Sequence, residues 1–229
     1  CGGSVASLPA SAGCLMSACS YFRTEGGDFP SAGSPEYRVL SADDYYCPDE
    51  AEEDVPAIAW DKLYHKSLFD ALRYPVGKLH EDEFTTYLAV YRAGKVVVTR
   101  EALYAYYQNP VGIMLSKWTP RKLHILEATE NQIAFARETG NLRLLKKVVR
   151  QYIYSTYEQI GFAKQWDDPG RGRLLKILRK KLREGLRQGK DFDLFPLCRE
   201  RSWMYEEAYP VKPFWWLYGK LHRGGKRQE

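Results

Sequence analysis

The sequence predicts a mainly α-helical fold of amphipathic helical hairpins, with a long irregular N-terminal arm and an extended aromatic, basic C-terminal tail. Apolar residues recur at helical spacing between residues 58 and 190. Gly and Pro interrupt both ends of the chain, and no convincing run of alternating strand residues is present. We therefore divide the chain into an acidic arm (1–57), a helical domain (58–190) and a docking tail (191–229).

The composition is that of a globular protein with an uneven charge. Of the 229 residues, 45% are hydrophobic and 17 are tyrosine, and the formal net charge is +5. Acids outnumber bases up to residue 60, whereas bases outnumber acids from residue 170 onward. A basic C-terminal part indicates a polyanionic partner, either a nucleic acid or an anionic membrane surface, although a solvated charged face explains it equally well.

The first half of the helical domain predicts three short helices. An apolar stripe runs from Trp60 to Leu72, and a second helix follows the acids Glu81–Glu83 and ends at Gly94. Residues 95–98 are interpreted as a short strand or a packed connector. A third helical segment is predicted from Glu101 to Tyr107, with Thr99 as its cap.

The second half predicts a helical hairpin and a basic helix. One helix runs from Pro120 to Thr139, Gly140 breaks it, and the next carries Leu145 and Val149 on its buried face. A further helix spans about residues 171–188, where leucines repeat every four residues.

The basic helix supplies the predicted nucleic-acid-binding residues. A helix with cations around a leucine stripe binds phosphates, lies on an anionic membrane interface, or packs its stripe and leaves its charges in water. The predicted residues are Arg171, Arg173, Lys176, Arg179, Lys180, Lys181, Arg183 and Arg187.

Aromatic residues crowd the tail and predict a surface that docks onto protein partners. Tryptophan and tyrosine combine an apolar body with a polar tip, which suits interfaces. The predicted docking residues are Trp203, Tyr205, Tyr209, Phe214, Trp215, Trp216 and Tyr218.

The chain lacks the motifs that commonly identify enzymes. A P-loop, a nucleophile elbow, a zinc-protease helix and a dinucleotide fingerprint are all missing. Its five cysteines and four histidines show no zinc-ligand spacing. The sequence therefore predicts a non-catalytic protein without a cofactor, and no stretch is apolar enough to cross a bilayer.

Residues 121–175 resemble one known family. Thr139-Gly-Asn-Leu142, Leu145-Lys-Lys147, the stretch Tyr152 to Tyr157 and Gly170-Arg-Gly-Arg173 are similar to a helix pair and the turn after it. That pair belongs to a domain shared by a mitochondrial large-subunit ribosomal protein and the membrane-anchoring subunit of the import motor. The family continues into a curved sheet, whereas this sequence predicts the helix 171–188.

The resemblance implies a structural subunit of a large mitochondrial assembly. The leading hypothesis is a mitochondrial ribosomal protein that contacts rRNA and neighbouring proteins. Residues 1–22 lack acids and are rich in small residues, like the end of an organelle transit segment. The alternatives are an accessory subunit of a respiratory complex or ATP synthase, and an unrecognised enzyme or secreted effector.

Overall fold

The computed structural model describes residues 13–24, 36–48, 57–107, 116–192 and 199–209, with only the backbone given at 199–202. The chain divides into two compact units, Cys1–Val148 and Val149–Glu229.

A four-stranded mixed sheet forms the centre of the first unit. Its strands are β1 (Met16–Thr24), β2 (Tyr37–Ser41), β3 (Lys62–Tyr64) and β4 (Lys95–Tyr107), in the order β2-β4-β1-β3. β1 runs parallel to β4 and antiparallel to β3, while β2 pairs antiparallel with β4. The pairing of β1 with β4 is irregular on either side of Ser20.

Six helices account for most of the remaining described residues. They are α1 (Ala42–Tyr46), α2 (Glu81–Ala93), α3 (His124–Glu138), α4 (Leu142–Lys164), α5 (Arg171–Lys190) and α6 (Arg199–Ala208). Two short 3-10 turns, at Lys66–Phe69 and Pro120–Leu123, complete the regular structure of the described part.

The prediction of a mainly α fold is wrong, because the described chain combines this sheet with the helices. β1, β2 and α1 all lie within the supposed irregular arm. β1 lies between β3 and β4, and its first three residues are all buried. Met16, Ser17 and Ala18 are thus buried irrespective of polarity, so this segment lacks the usual alternating strand signal. The boundaries at residues 57 and 190 stay predictions.

Two predicted helices in the first half are also wrong. The stripe from Trp60 to Leu72 contains β3 and a 3-10 turn, and the segment Glu101–Tyr107 belongs to β4. Valines, Thr99 and alternating tyrosines favour a strand, and pairing with β1 and β2 extends it through residue 107. Tertiary pairing therefore overrides the local helical spacing.

Helices α2 to α5 confirm the predictions for those segments. α2 ends at Gly94, and Gly140 separates α3 from α4; both glycines have positive φ angles, 70° and 66°. Leu145 and Val149 are buried as expected. The extended tail is wrong for residues 199–208, which form α6.

Candidate functional site

Three consecutive carboxylates begin α2 directly after a left-handed backbone turn. His80 has φ 58° and ψ 41°, and among the described residues it is the only non-glycine with a positive φ. Such a conformation costs roughly 1–3 kcal/mol for a residue with a side chain, although histidine tolerates it better than most. It places Glu81, Asp82 and Glu83 at the start of the helix. A strained turn beside clustered acids marks a candidate functional site.

Asp82 has the environment of a proton acceptor. Burial raises the pKa of its carboxyl above the ordinary value, and the charge of Glu81 raises that pKa further. The Glu83 N–H donates to Oδ1 at 2.9 Å, and this bond and nearby His80 oppose the rise in pKa without cancelling it. A carboxylate with a raised pKa is a better base near neutral pH.

The two flanking acids have different surroundings. Gln132 Nε2 donates to the Glu83 carbonyl at 2.8 Å and to the Glu83 carboxylate at 2.9 Å, which ties α2 to α3. Glu81 is exposed. Asp82 and Glu83 are both partly buried. Unlike Glu83, the Asp82 carboxylate has no described hydrogen bond to another helix or strand.

A buried ion pair at the start of β3 adds a second group of charges. Lys62 Nζ lies 2.5 Å from the Asp61 carboxylate and donates to the Ile58 carbonyl at 2.6 Å. Burial lowers the pKa of Lys62, and the negative charges of Asp61 and Asp82 oppose that decrease. The carboxylate of Asp82 is therefore within electrostatic reach of this pair.

Buried hydroxyl groups occur in the same unit. They belong to Ser17, Tyr45, Tyr64, Tyr74 and Thr86, and the Tyr64 hydroxyl lies within hydrogen-bonding reach of Tyr74 and Thr86. The Lys62 ammonium lies 5.8 Å from the centre of the Tyr45 ring. Burial raises the pKa of Tyr45, so its phenol stays neutral and able to donate.

The predicted nucleic-acid-binding residues divide into two groups on α5. Arg179 donates to Glu207 at 3.0 and 3.1 Å, and Arg183 donates to the Ala208 carbonyl at 2.7 Å, so both hold α6. The exposed ones are Arg171, Arg173, Lys176, Lys180 and Arg187. Of these, Arg171 contacts the Trp166 carbonyl and Lys180 approaches Glu184. Lys181 is partly exposed. Nucleic-acid binding stays a prediction.

The predicted docking aromatics are only partly described. Trp203 is 55% exposed, and the rings of Tyr205 and Tyr209 stack with centroids 6.3 Å apart. Phe214, Trp215, Trp216 and Tyr218 lie outside the described residues. Their docking role stays a prediction.

Within the described ranges, no group of three or more His, Cys, Asp or Glu residues is arranged to hold a metal ion. No helix in this part of the chain combines the length and hydropathy needed to span a bilayer.

Sequence reasoning missed the Asp82 site. The acids Glu81–Glu83 were interpreted only as favourable helix-start charges, and motif searches do not detect them. The left-handed turn at His80 and the burial of Asp82 depend on tertiary structure. The available signal was a histidine followed by three acids at a helix start.

Comparison with known proteins connects part of the chain to an enzyme. No family model matches it. A segment of 83 residues is 34% identical to the glycosyltransferase GlyA of Streptococcus pneumoniae serotype 4, and covers 36% of this chain and 12% of that protein. The chain thus corresponds to about one eighth of the length of this relative.

This similarity corrects the predicted function. A non-catalytic structural subunit, ribosomal or otherwise, is the wrong class, because the match points to an enzyme. The prediction failed because amphipathic hairpins occur in many folds, so the resemblance of residues 121–175 had little specificity. That resemblance and the mitochondrial location stay predictions.

Proposed function

We propose that this chain takes part in glycosyl transfer, with Asp82 as the general base. The observation that carries the proposal is the half-buried Asp82 carboxylate with its raised pKa, at a left-handed turn. The similarity of 83 residues to a glycosyltransferase supports the reaction class. Perturbed carboxylates at strained turns are typical of catalytic positions.

The reaction assigns one proton transfer to Asp82. An acceptor hydroxyl oxygen attacks the anomeric carbon of an activated sugar that carries a phosphate-type leaving group. The new C–O bond forms while the bond to the leaving group breaks, and the leaving group departs with the electron pair. Asp82 accepts the hydroxyl proton, so charge does not build up on the attacking oxygen.

The surrounding groups suit this role. Oδ1 of Asp82 is held by the Glu83 N–H, which fixes the carboxylate, while Oδ2 has no hydrogen-bond donor among the described contacts.

An activity measurement tests the proposal. The chain is incubated with a panel of nucleotide sugars and carbohydrate acceptors, and release of the nucleotide is followed. Asp82→Asn should lower the rate about 10²- to 10⁴-fold, with an unchanged circular dichroism spectrum. Glu127→Gln, an exposed carboxylate paired with Lys78, serves as the control. Unchanged transfer by Asp82→Asn, or no transfer from any donor, contradicts the proposal.

A further inference from the structure

Four aromatic rings gather on the sheet of the first unit. The Trp60 indole stacks on Tyr104 with centroids 4.3 Å apart and 27° between planes, and on Tyr106 at 5.1 Å and 24°. Tyr21 meets the same indole edge-on at 4.9 Å. All four side chains are partly exposed. The indole thus covers two tyrosines of β4 and meets one tyrosine of β1.

The backbone holds this aromatic cluster in place. Tyr21 stands opposite Tyr104 in the parallel pairing of β1 with β4. The Cys19 N–H donates to the Asp61 carbonyl at 3.0 Å, which fixes the residue next to Trp60 against β1. Rings fixed in advance lose little conformational entropy when a ligand binds.

We propose that the aromatic cluster Trp60, Tyr21, Tyr104 and Tyr106 binds a pyranose ring of the acceptor, so that the acceptor is itself a carbohydrate. This inference rests on the proposed glycosyl transfer. One face of a pyranose presents C–H groups that pack on an aromatic ring, while its rim carries hydroxyls. The three tyrosine hydroxyls can donate to and accept from that rim.

The cluster is adjacent in sequence to the Asp61–Lys62 pair, on which the charge of Asp82 acts. Trp60 precedes Asp61 directly and Lys62 by two residues, and the charge of Asp82 acts on Lys62. The aromatic cluster and Asp82 are therefore both placed near the start of β3. Four rings are also a small patch compared with the roughly 800 Å² that each partner buries in a stable protein interface.

Glycan binding tests the inference separately from catalysis. The probes are cellotetraose, maltotetraose and N-acetyllactosamine, titrated into the full chain and followed by NMR. For whichever of these glycans binds the wild type, Trp60→Ala should weaken the binding at least tenfold. Trp60→Phe keeps an aromatic ring and should weaken the binding less. Tyr37→Ala removes a partly exposed aromatic from β2 and should leave binding unchanged.

The outcomes separate the two proposals. Asp82→Asn should lower transfer about 10²- to 10⁴-fold and keep glycan binding. Binding that depends on Trp60 supports the inference even if no transfer is observed. If none of the three glycans binds, or if both Trp60 variants and the wild type bind equally, the inference is wrong. In active protein, Trp60→Phe should raise the acceptor KM and leave kcat nearly unchanged.

Discussion

The ammonium nitrogen of Lys62 lies 2.5 Å from the Asp61 carboxylate, and both side chains are almost completely buried, at 0% and 6% exposure. These residues are neighbours in sequence, at the start of the short edge strand β3. Each charge compensates the other where water has little access, so the loss of one leaves an unpaired buried ion.

Asp61→Asn should therefore destabilise the fold by about 3–5 kcal/mol, because Lys62 loses its counter-charge. Glu127→Gln breaks the exposed pair with Lys78 and should cost no more than about 1 kcal/mol. Urea denaturation at pH 7 measures both free energies of unfolding. Equal losses for the two variants would show that the buried pair has no special role.

The pH dependence of transfer should report on Asp82. The base acts in its ionised form, so the rate should rise with pH through an Asp82 pKa that lies above the ordinary 3.8. Glu81→Gln removes a repelling charge, lowers the pKa of Asp82 and should move the inflection to lower pH. His80→Asn removes an attracting charge, raises the pKa of Asp82 and should move the inflection to higher pH.

Asparagine also tolerates the left-handed backbone at position 80, so this variant keeps the turn. Profiles of kcat/KM against pH for the three proteins provide the comparison. Two variants that shift the inflection in the same direction would rule out Asp82 as the group that titrates.

Gly185 should tolerate no large side chain. A Cβ at this position would lie 3.0 Å from Ile153 Cγ1 and 3.1 Å from Tyr152 Cδ1, so α4 and α5 pack closely here. Gly185→Leu should cost about 1–3 kcal/mol through overpacking. Gly161→Ala, where a Cβ meets nothing within 4 Å, should instead stabilise α4 by up to about 1 kcal/mol. Thermal unfolding distinguishes them, and losses in both variants would contradict this packing.

The exposed face of α5 should determine any binding of polyanions. Replacement of Arg173, Lys176 and Arg187 with Gln should flatten the salt dependence of single-stranded RNA binding by about 2 in log Kd against log salt concentration. Arg179→Gln should mainly lower stability, because Arg179 holds Glu207 of α6. Filter binding at several salt concentrations measures the slope. An unchanged slope in the triple variant would show that these three side chains do not contact RNA phosphates.

Several helices are predictable from the sequence alone because their signals are local. Acids at Glu81–Glu83, glycines at 94 and 140, and the leucine repeat of α5 specify helix starts, ends and buried faces within one or two turns. Leu145 and Val149 were correctly placed inside, because the apolar stripe of α4 reflects the geometry of one helix.

The sheet and the candidate site, in contrast, depend on contacts between segments that are distant in sequence. β1 and β4 pair across about 80 residues of sequence, so neither strand can be recognised from its own segment alone. The burial of Asp82 and Lys62 and the stacking of Trp60 on Tyr104 depend on contacts with other segments of the chain. Such features join residues that are far apart in the chain, so local periodicity cannot predict them.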